Sequence, residues 1–359
     1  MPLDHYITLG KSGLKVSPLC LGTMTFGEDW GWGSDVETSK KVIDTYIDKG
    51  GNFIDTANIY TKGHSEKIIG DHIGKHPPKR DRLVIATKCT GNMFNGDPNG
   101  GGSGRKSMMA AVEESLRRLQ TDYIDLLWSH FWDQNAPIDE LMRTVDDLVR
   151  AGKVRYFGFS DHPAWVCVQG QYEAIFRNWT PAVALQIEYS LRQRTVEGDL
   201  IPMAQEMGLG VTPWSPLAGG VLTGKYTRDK KPDEGRANSG WINLDDRDYK
   251  IIDVLLEVAE EAGASPAEVA LKWVQDRDGV TSTIIGARTL EQLDANLNAL
   301  DVTLTDEQTR KLDEVSEQTK PFPHEFVNNI KTVIQGGTTI NGESRDTWEN
   351  APQSDKERY

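Results

Sequence analysis

The stretch Leu83-Val84-Ile85-Ala86-Thr87-Lys88-Cys89 decides the fold, because it is a short and almost continuously apolar run. A strand that is covered on one face alternates apolar and polar residues, whereas a parallel strand covered on both faces does not alternate. Seven further runs of the same kind occur along the chain. The eight predicted strands are Leu19–Gly22, Asn52–Ala57, Leu83–Cys89, Tyr123–His130, Val154–Ser160, Ala182–Ser190, Gly210–Leu217 and Thr281–Ala287.

The spacing of these runs predicts a barrel. Six of the seven start-to-start separations lie between 28 and 40 residues, which is the length of one strand and one crossover helix. The intervening segments have helical periodicity, for example Met108, Val112, Leu116 and Leu119 on one stripe. Eight such units predict an α/β fold, a closed (β/α)₈ TIM barrel. An open, doubly wound sheet is the alternative.

Four segments lie outside the strand–helix repeat, namely residues 1–18, 90–106, 218–250 and 320–359. Residues 7–16 have the pattern of a β-hairpin that would cap the floor of the barrel. The end of the chain is polar and contains Pro321 and Pro323, which predicts a tail with little core of its own. We therefore expect a barrel domain over residues 1–325 and a C-terminal tail over residues 326–359.

The charge balance excludes several classes of partner. The 359 residues include 40 Lys and Arg against 54 Asp and Glu, a formal net charge of −14, which disfavours nucleic acid and anionic membrane surfaces. No apolar run reaches the ~18 residues of a membrane span, and no signal peptide is visible. Cys20, Cys89 and Cys167 are too few and too widely spaced for a disulfide framework or a metal site. We expect a cytoplasmic protein without a metal.

Four polar residues lie at or just after the ends of consecutive predicted strands. Asp55, Lys88 and His130 belong to the second, third and fourth strands, and Tyr60 follows Asp55 by five residues. The carboxyl ends of parallel barrel strands meet at one rim, so all four are expected there. Taken singly, Asp55 or Lys88 could form a structural ion pair and Tyr60 could be a packed aromatic. Their occurrence together favours catalysis.

These four residue types suit proton donation to a carbonyl oxygen. A phenol with a pKa near 10 is a poor acid at neutral pH, and an adjacent ammonium lowers that pKa. We therefore expect Lys88 to lower the pKa of Tyr60 and Asp55 to hold Lys88 in place. A neutral imidazole at His130 could donate a hydrogen bond that orients the carbonyl. No metal or covalent nucleophile is needed.

The residues around these positions resemble the signature of the aldo-keto reductases over roughly residues 7–320. The matching motifs are Gly51–Tyr60 followed by Gly63, Ser65 and Glu66, then Ala86-Thr87-Lys88, Leu116-Arg117-Arg118-Leu119, Asp122–Leu126 and Trp214-Ser215-Pro216-Leu217. Within the family, Trp214–Gly220 and Gly286-Ala287-Arg288 are most similar to the bacterial and potassium-channel-β-like branches.

The resemblance implies a (β/α)₈ barrel that reversibly reduces aldehydes or ketones to alcohols with a nicotinamide cofactor. By the same likeness, Tyr60 is the proton donor, Lys88 and Asp55 are its partners, and His130 orients the substrate. The alternative is a cofactor-binding barrel that senses redox state or regulates a partner, with slow or no turnover.

The resemblance also implies where the cofactor binds. Ser160, Asp161 and Gln186 match the positions that hold the nicotinamide carboxamide, although the family often has Asn where Asp161 stands. Trp214 matches the aromatic that stacks on the nicotinamide ring. The other implied cofactor positions are Gly22, Thr23, Met24, Asp55, Ser215, Pro216, Leu217, Gly219, Gly220, Lys225, Gly286, Arg288, Gln292 and Asn296.

The choice between NADPH and NADH depends on Arg288. An arginine at the start of a predicted helix makes an anion site, and in the family the adenosine 2′-phosphate rests there. We therefore expect NADPH. NADH is left open, because Gln292 and Ala295 lack the charged groups that some relatives carry at these positions.

Aromatic residues in the predicted rim loops indicate an apolar substrate pocket. Trp30, Trp32, Phe131 and Trp132 are our candidates for substrate binding, and Trp241 lies in a similar loop. Such side chains suit a small-molecule carbonyl that is aromatic, polycyclic or sugar-like. The sequence leaves the physiological substrate, the favoured direction and the oligomeric state open, a homo-oligomer included.

Overall fold

The computed structural model describes residues 1–229 and 243–358, and its centre is a barrel of eight parallel strands. After the N-terminal β1 (Ile7–Thr8) and β2 (Lys15–Val16), the barrel strands are β3 (Leu19–Gly22), β4 (Phe53–Asp55), β5 (Val84–Cys89), β6 (Ile124–Ser129), β7 (Val154–Ser160), β8 (Ala184–Glu188), β9 (Gly210–Trp214) and β10 (Thr283–Gly286). Their hydrogen-bonded order is β10-β3-β4-β5-β6-β7-β8-β9. A bridge between Val211 and Val280 joins β9 to the segment before β10. The predicted TIM barrel is confirmed.

The barrel interior is filled by apolar side chains, as the continuous apolar runs require. Trp128 on β6 is fully buried, and Gly158 on β7 leaves the space for its ring, since a Cβ at Gly158 would lie 2.4 Å from it. Such close packing fixes neighbouring strands in one arrangement. The buried interior residues are Leu9, Val16, Cys20, Phe53, Val84, Ala86, Leu126, Trp128, Ala184 and Ile284.

The predicted N-terminal hairpin is confirmed, and it closes one end of the barrel. Strands β1 and β2 pair antiparallel, and Leu9 and Val16 are buried within the interior cluster. Gly10 has φ 57°, and a Cβ there would lie 2.5 Å from the backbone N of Gly210, so only glycine fits. Gly210 begins β9, so the hairpin occupies the amino end of the strands and leaves their carboxyl end for a site.

Helices follow the strands and cover the outside of the barrel. They are α1 (Val36–Asp48), α2 (His64–Ile69), α3 (Pro77–Arg80), α4 (Arg105–Leu119), α5 (Ile138–Arg150), α6 (Ala164–Arg177), α7 (Leu200–Met207), α8 (Asp246–Ala262), α9 (Pro266–Gln275), α10 (Leu290–Leu297) and α11 (Asp306–Ser316). The predicted stripe Met108, Val112, Leu116 and Leu119 is the buried face of α4. Helix α9 begins with a capping box between Ser265 and Glu268.

The chain divides into two compact units, Met1–Glu317 and Gln318–Tyr359. The first contains the barrel and its helices. The second contains α12 (His324–Asn329), α13 (Lys331–Gln335) and a hairpin of β11 (Thr339–Ile340) with β12 (Glu343–Ser344). The division lies eight residues before the boundary that the sequence suggests at 325/326. None of the helices in residues 1–229 and 243–358 is both long and apolar enough to cross a bilayer.

Candidate active site

The ammonium of Lys88 organises the carboxyl-end rim of the barrel. Lys88 on β5 is fully buried, and Asp55 at the end of β4 is 2% exposed. The Lys88 ammonium donates to Asp55 Oδ2, to the carbonyl oxygen of Thr56 at 2.8 Å and to the hydroxyl of Tyr60 at 3.0 Å. An ammonium has three protons, so these partners use all of them. The structure therefore brings Asp55, Tyr60 and Lys88 together, as predicted.

Tyr60 reaches the rim from a strained turn. Thr61, Lys62 and Gly63 have φ of 46°, 60° and 89°, a left-handed run that turns the chain sharply after Tyr60. The Thr61 hydroxyl fixes the turn by donating to the carbonyl oxygen of Phe26 at 2.8 Å. The backbone here is held by neighbouring structure, which is common where a side chain has to be aimed at one place.

Two opposing effects act on the pKa of Tyr60. Burial raises the pKa of Tyr60, and the opposing effect of the Lys88 charge does not cancel it. Burial lowers the pKa of Lys88, but the charge of Asp55 and the contacts with Tyr60 outweigh burial, so the pKa of Lys88 is raised. Lys88 therefore lowers the pKa of Tyr60, as predicted, but burial outweighs this effect. Tyr60 is protonated at neutral pH, which a proton donor requires.

His130 lies beside Tyr60 as a neutral imidazole. It follows β6, is 6% exposed, and its ring is edge-on to Tyr60 with centroids 5.9 Å apart. Burial, with the nearby charge of Lys88, holds its pKa well below the ordinary value. Phe131 stacks on the imidazole at 3.9 Å. Within the described chain, buried Nδ1 of His130 has no hydrogen-bond partner.

Buried polar atoms beside this group fit the carboxamide of a nicotinamide. Ser160 at the end of β7 is buried, and its Oγ has no partner among the described residues, which is costly unless a ligand supplies one. Gln186 on β8 donates from Nε2 to Asp55 Oδ1 at 3.0 Å, which leaves its Oε1 as an acceptor. Asp161 accepts a hydrogen bond from Trp214 Nε1 at 3.0 Å. Ser160, Gln186 and Trp214 thus lie on three adjacent strands.

The segment after β9 is a tight bend that is closed by its own hydrogen bonds. Ser215, Ala218, Gly219 and Gly220 all have positive φ, and the N–H groups of Ala218 and Gly220 donate to the carbonyl oxygens of Ser215 and Leu217 at 2.8 and 2.9 Å. Ser215 Oγ accepts from the N–H of Gly219 at 3.2 Å. A Cβ on Gly220 would lie 3.2 Å from Lys225 Nζ, so this cation lies against the bend. Pro216 and Leu217 complete the turn.

The end of β10 carries the second predicted cofactor segment. Arg288 is exposed, and its backbone N–H donates to Gln292 Oε1 at 2.9 Å. Asn296 donates to the carbonyl oxygen of Gly286 at 3.0 Å. Gly286 is open, since a Cβ added there would meet no atom within 4 Å. Gln292 and Asn296 therefore hold the start of α10, while the guanidinium of Arg288 is left at the surface.

The turn after β3 lies against the same rim. Thr23 donates from its backbone N and its hydroxyl to the carbonyl oxygen of Asp55, at 2.9 and 3.0 Å. A Cβ on Gly22 would lie 2.6 Å from the side chain of Ile284, so this position needs glycine. Met24 is 36% exposed. Of the predicted positions, Gly22 pairs with Asp55 in the sheet and Thr23 is hydrogen-bonded to it, and Met24 is the next residue along the chain.

The predicted substrate aromatics fall into two groups. Trp30 lies edge-on to Tyr60 at 6.5 Å and contacts Trp32 at 5.7 Å, while Phe131 covers His130. Trp132 lies apart from them: it packs edge-on against Trp165 at 5.6 Å and lines a separate cavity of about 270 Å³ between α5 and α6. Trp241 lies outside the described residues. Trp30, Trp32 and Phe131 thus form an aromatic wall beside the rings of Tyr60 and His130.

Sequence reasoning missed two groups near the site. Glu188 is the last residue of β8 and could have been found by the same reading of strand ends. His162 lies two residues after Ser160 and is hydrogen-bonded to its carbonyl oxygen at 2.6 Å, a contact that no sequence signal marks. Among the described residues no cluster of His, Cys, Asp and Glu could hold a metal ion. Cys20, Cys89 and Cys167 are buried free thiols.

Glu66 and Arg118, both part of the signature motifs, support the rim from behind. Glu66 is fully buried. It accepts from the hydroxyl of Thr87 at 2.5 Å and from Arg118 Nε at 2.6 Å. Because Thr87 precedes Lys88 on β5, this buried pair fixes the strand that carries the lysine. A buried carboxylate needs such partners, since unpaired burial of a charge is costly.

The family model and the relatives that match this chain agree on one family. The model of the aldo/keto reductase family matches residues 18–317. The aryl-alcohol dehydrogenase (NADP⁺) of Phanerodontia chrysosporium is 37% identical, covering 87% of this chain and 86% of that protein. An uncharacterized oxidoreductase of Bacillus subtilis is 38% identical, covering 87% and 95%. The norsolorinic acid reductase of Aspergillus flavus is 34% identical, covering 96% and 88%.

Proposed function

The chain belongs to the aldo/keto reductase family of oxidoreductases, and we propose that it interconverts aryl aldehydes or ketones and their alcohols, with NADPH and NADP⁺ as the hydride carriers. The observation that carries the proposal is the set of contacts around one ammonium. Lys88 holds Asp55 on one side and the hydroxyl of Tyr60 at 3.0 Å on the other. Neutral His130 lies beside them.

Tyr60 is the proposed proton donor in reduction and proton acceptor in oxidation. Its hydroxyl is protonated at neutral pH, and the ammonium of Lys88 stabilises the phenolate that forms when the proton leaves. Asp55 keeps Lys88 charged and in place. When bound, a nicotinamide cofactor would supply or accept the hydride at the carbonyl carbon.

His130 is the proposed orienting group. A neutral imidazole can donate one hydrogen bond to the carbonyl oxygen, and the lowered pKa of His130 keeps it neutral. Phe131 stacks on the ring and restricts its rotation. The oxygen would then be held between the imidazole and the Tyr60 hydroxyl, which is the placement that general acid catalysis requires.

The residues present fit a nicotinamide cofactor. The unpartnered Oγ of Ser160 and the free Oε1 of Gln186 offer a donor and an acceptor to a carboxamide. Trp214 offers a partly exposed aromatic face beside them. The ammonium of Lys225, which lies against the bend at 215–220, offers a positive charge to the pyrophosphate. The exposed Arg288 guanidinium favours NADPH, because a 2′-phosphate is a strong partner for arginine.

Two observations support an aryl substrate. The aromatic wall of Trp30, Trp32 and Phe131 lies beside the rings of Tyr60 and His130, and flat apolar surfaces bind flat rings. A relative 37% identical over most of both chains is an aryl-alcohol dehydrogenase. Trp132 is not part of that wall, so we assign substrate contact to the other three.

The test is steady-state turnover in both directions with the wild type and Tyr60→Phe. We expect benzaldehyde-type carbonyls to be reduced with NADPH and the matching alcohols to be oxidised with NADP⁺. Tyr60→Phe removes one hydroxyl and should lower kcat by about 10²–10⁴-fold, the range of general acid catalysis, while quenching of protein fluorescence by NADPH is retained. A variant that binds cofactor normally and turns over within a few-fold of the wild type would rule out this role for Tyr60.

A redox-sensing barrel would behave differently. It would retain its cofactor through purification and give a single slow turnover with every carbonyl tested. Sustained turnover by the wild type therefore separates the enzyme from the regulatory alternative.

A further inference from the structure

Asp161 is held in one position beside the proposed nicotinamide site. It follows Ser160, has φ 50°, and its backbone N–H donates to the carbonyl oxygen of Gln186 at 3.1 Å. Its Oδ1 accepts from Trp214 Nε1 at 3.0 Å. Within the described chain, Oδ2 has no hydrogen-bond partner. The carboxylate thus lies among the three residues that fit the carboxamide and the ring, and one oxygen is free.

Among the described residues, no cation forms an ion pair with this carboxylate. The charge of Lys88 on β5 acts on Asp161, but the three protons of Lys88 go to Asp55, Thr56 and Tyr60. Glu188 at the end of β8 adds a second negative charge. The positive charge of Arg192 acts on Glu188 and partly offsets that charge. None of the ion pairs between residues 1–229 and 243–358 includes Asp161 or Glu188. Since Lys88 and Asp55 cancel, the charge left at this end of the site is negative.

Asp161 is ionised over most of the physiological pH range. Burial raises its pKa to about 6, with Glu188 acting in the same direction and the Trp214 hydrogen bond and Lys88 opposing them. At pH 7 or above the carboxylate form dominates, and below pH 6 the neutral acid does.

Building on the proposed function, we propose that the carboxylate of Asp161 makes this site bind the oxidised cofactor more tightly, relative to the reduced one, than an uncharged residue would. The two forms differ by one positive charge on the nicotinamide ring. A fixed negative charge beside the ring lowers the free energy of the charged form only. Adenosine and phosphate contacts are common to both forms and do not discriminate.

The consequence is a bias in the direction of catalysis. The overall equilibrium between alcohol and carbonyl is unchanged, but the equilibrium between the two bound cofactor forms shifts toward the oxidised one. The oxidised cofactor, with which alcohol oxidation starts, is then bound more tightly than it would be beside an uncharged residue. Asn at this position, which the resemblance gives as common in the family, would keep the shape and lose the bias.

The test is the ratio of two dissociation constants in the wild type and Asp161→Asn. Asn retains an oxygen that accepts the Trp214 indole N–H, so the variant removes the charge and keeps the contact. With NADP⁺ and NADPH titrated separately by fluorescence or calorimetry, we expect Kd(NADP⁺)/Kd(NADPH) to rise on the order of tenfold, the effect of one charge at close range in a partly solvated site. Asp139→Asn is the charge-matched control, since Asp139 is exposed at the start of α5, and its ratio should not change.

A second measurement uses the unmodified protein. As pH falls from 7.5 to 5, Asp161 takes up a proton, so the wild-type Kd ratio should rise by a similar factor. Titration of the 2′-phosphate cancels, because both cofactors carry it. The proposal is overturned if Asp161→Asn changes both dissociation constants by the same factor, or if the wild-type ratio is flat with pH. A wild type that binds neither cofactor would instead overturn the proposed function.

Discussion

Replacing Lys88 with Met separates what the buried charge pair does for stability from what it does for catalysis. Met keeps an unbranched side chain, one atom shorter than that of Lys, and removes the charge and all three donated hydrogen bonds. Asp55, 2% exposed, then keeps only the hydrogen bond from Gln186. Breaking one partner out of a buried ion pair costs about 3–5 kcal/mol, because the other charge stays buried without compensation.

That cost converts into a measurable change of melting temperature. The unfolding entropy is about 2.1 cal/mol/K per residue over the 317-residue unit. Dividing the lost free energy by this entropy gives a decrease in melting temperature of roughly 5–8 °C. Turnover should fall by at least about 10²-fold, because Tyr60 loses the charge that stabilises its phenolate. The assays are differential scanning calorimetry and carbonyl reduction with NADPH at saturation.

The double variant Asp55→Asn/Lys88→Met distinguishes the effect of the charge pair on stability from its effect on catalysis. It removes the uncompensated carboxylate, so most of the lost melting temperature should return, while activity should stay as low as in Lys88→Met. The reasoning is refuted if Lys88→Met melts with the wild type, or if the double variant regains both stability and turnover. The second result would mean that activity simply follows folding.

Two further predictions concern the choice of cofactor and the stability of the protein at acid pH. Arg288→Ala should raise KM for NADPH by about tenfold or more, because the 2′-phosphate loses a charge-assisted contact. KM for NADH should stay within about twofold of the wild-type value. An equal rise for both cofactors would remove the argument for NADPH. Burial lowers the pKa of His162 to about 4, against ~6.5 in an unfolded chain. The folded state therefore binds fewer protons, and the stability from this group is complete above pH 6.5 and lost as pH falls toward 4. Gln does not titrate, so the free energy of unfolding of His162→Gln, measured with urea, should rise relative to that of the wild type by up to about 3 kcal/mol as pH falls from 6.5 to 4. Unfolding free energies that change with pH in the same way for both proteins would contradict this.

The sequence by itself determined the barrel and which polar residues meet at its rim. Continuous apolar runs at spacings of about 30 residues specify parallel strands with crossover helices, and parallel strands bring their carboxyl ends to one rim. For that reason Asp55, Lys88 and His130, each at a strand end, could be assigned to one site from their positions alone. The hairpin over residues 7–16 followed from local pattern in the same way.

Only the tertiary structure decided how these side chains act on one another. The direction of the pKa of Tyr60 depends on the balance between burial and the Lys88 charge, and burial is a property of the packed rim. The separation of Trp132 from Trp30 and Trp32 depends on how their loops lie, which no periodicity encodes. The contact between Gln186 and Asp55 joins residues 131 positions apart, and that of Asp161 with Trp214 joins residues 53 apart. Electrostatic effects vary with distances of a few ångströms, and those distances are fixed only when the strands close into a barrel.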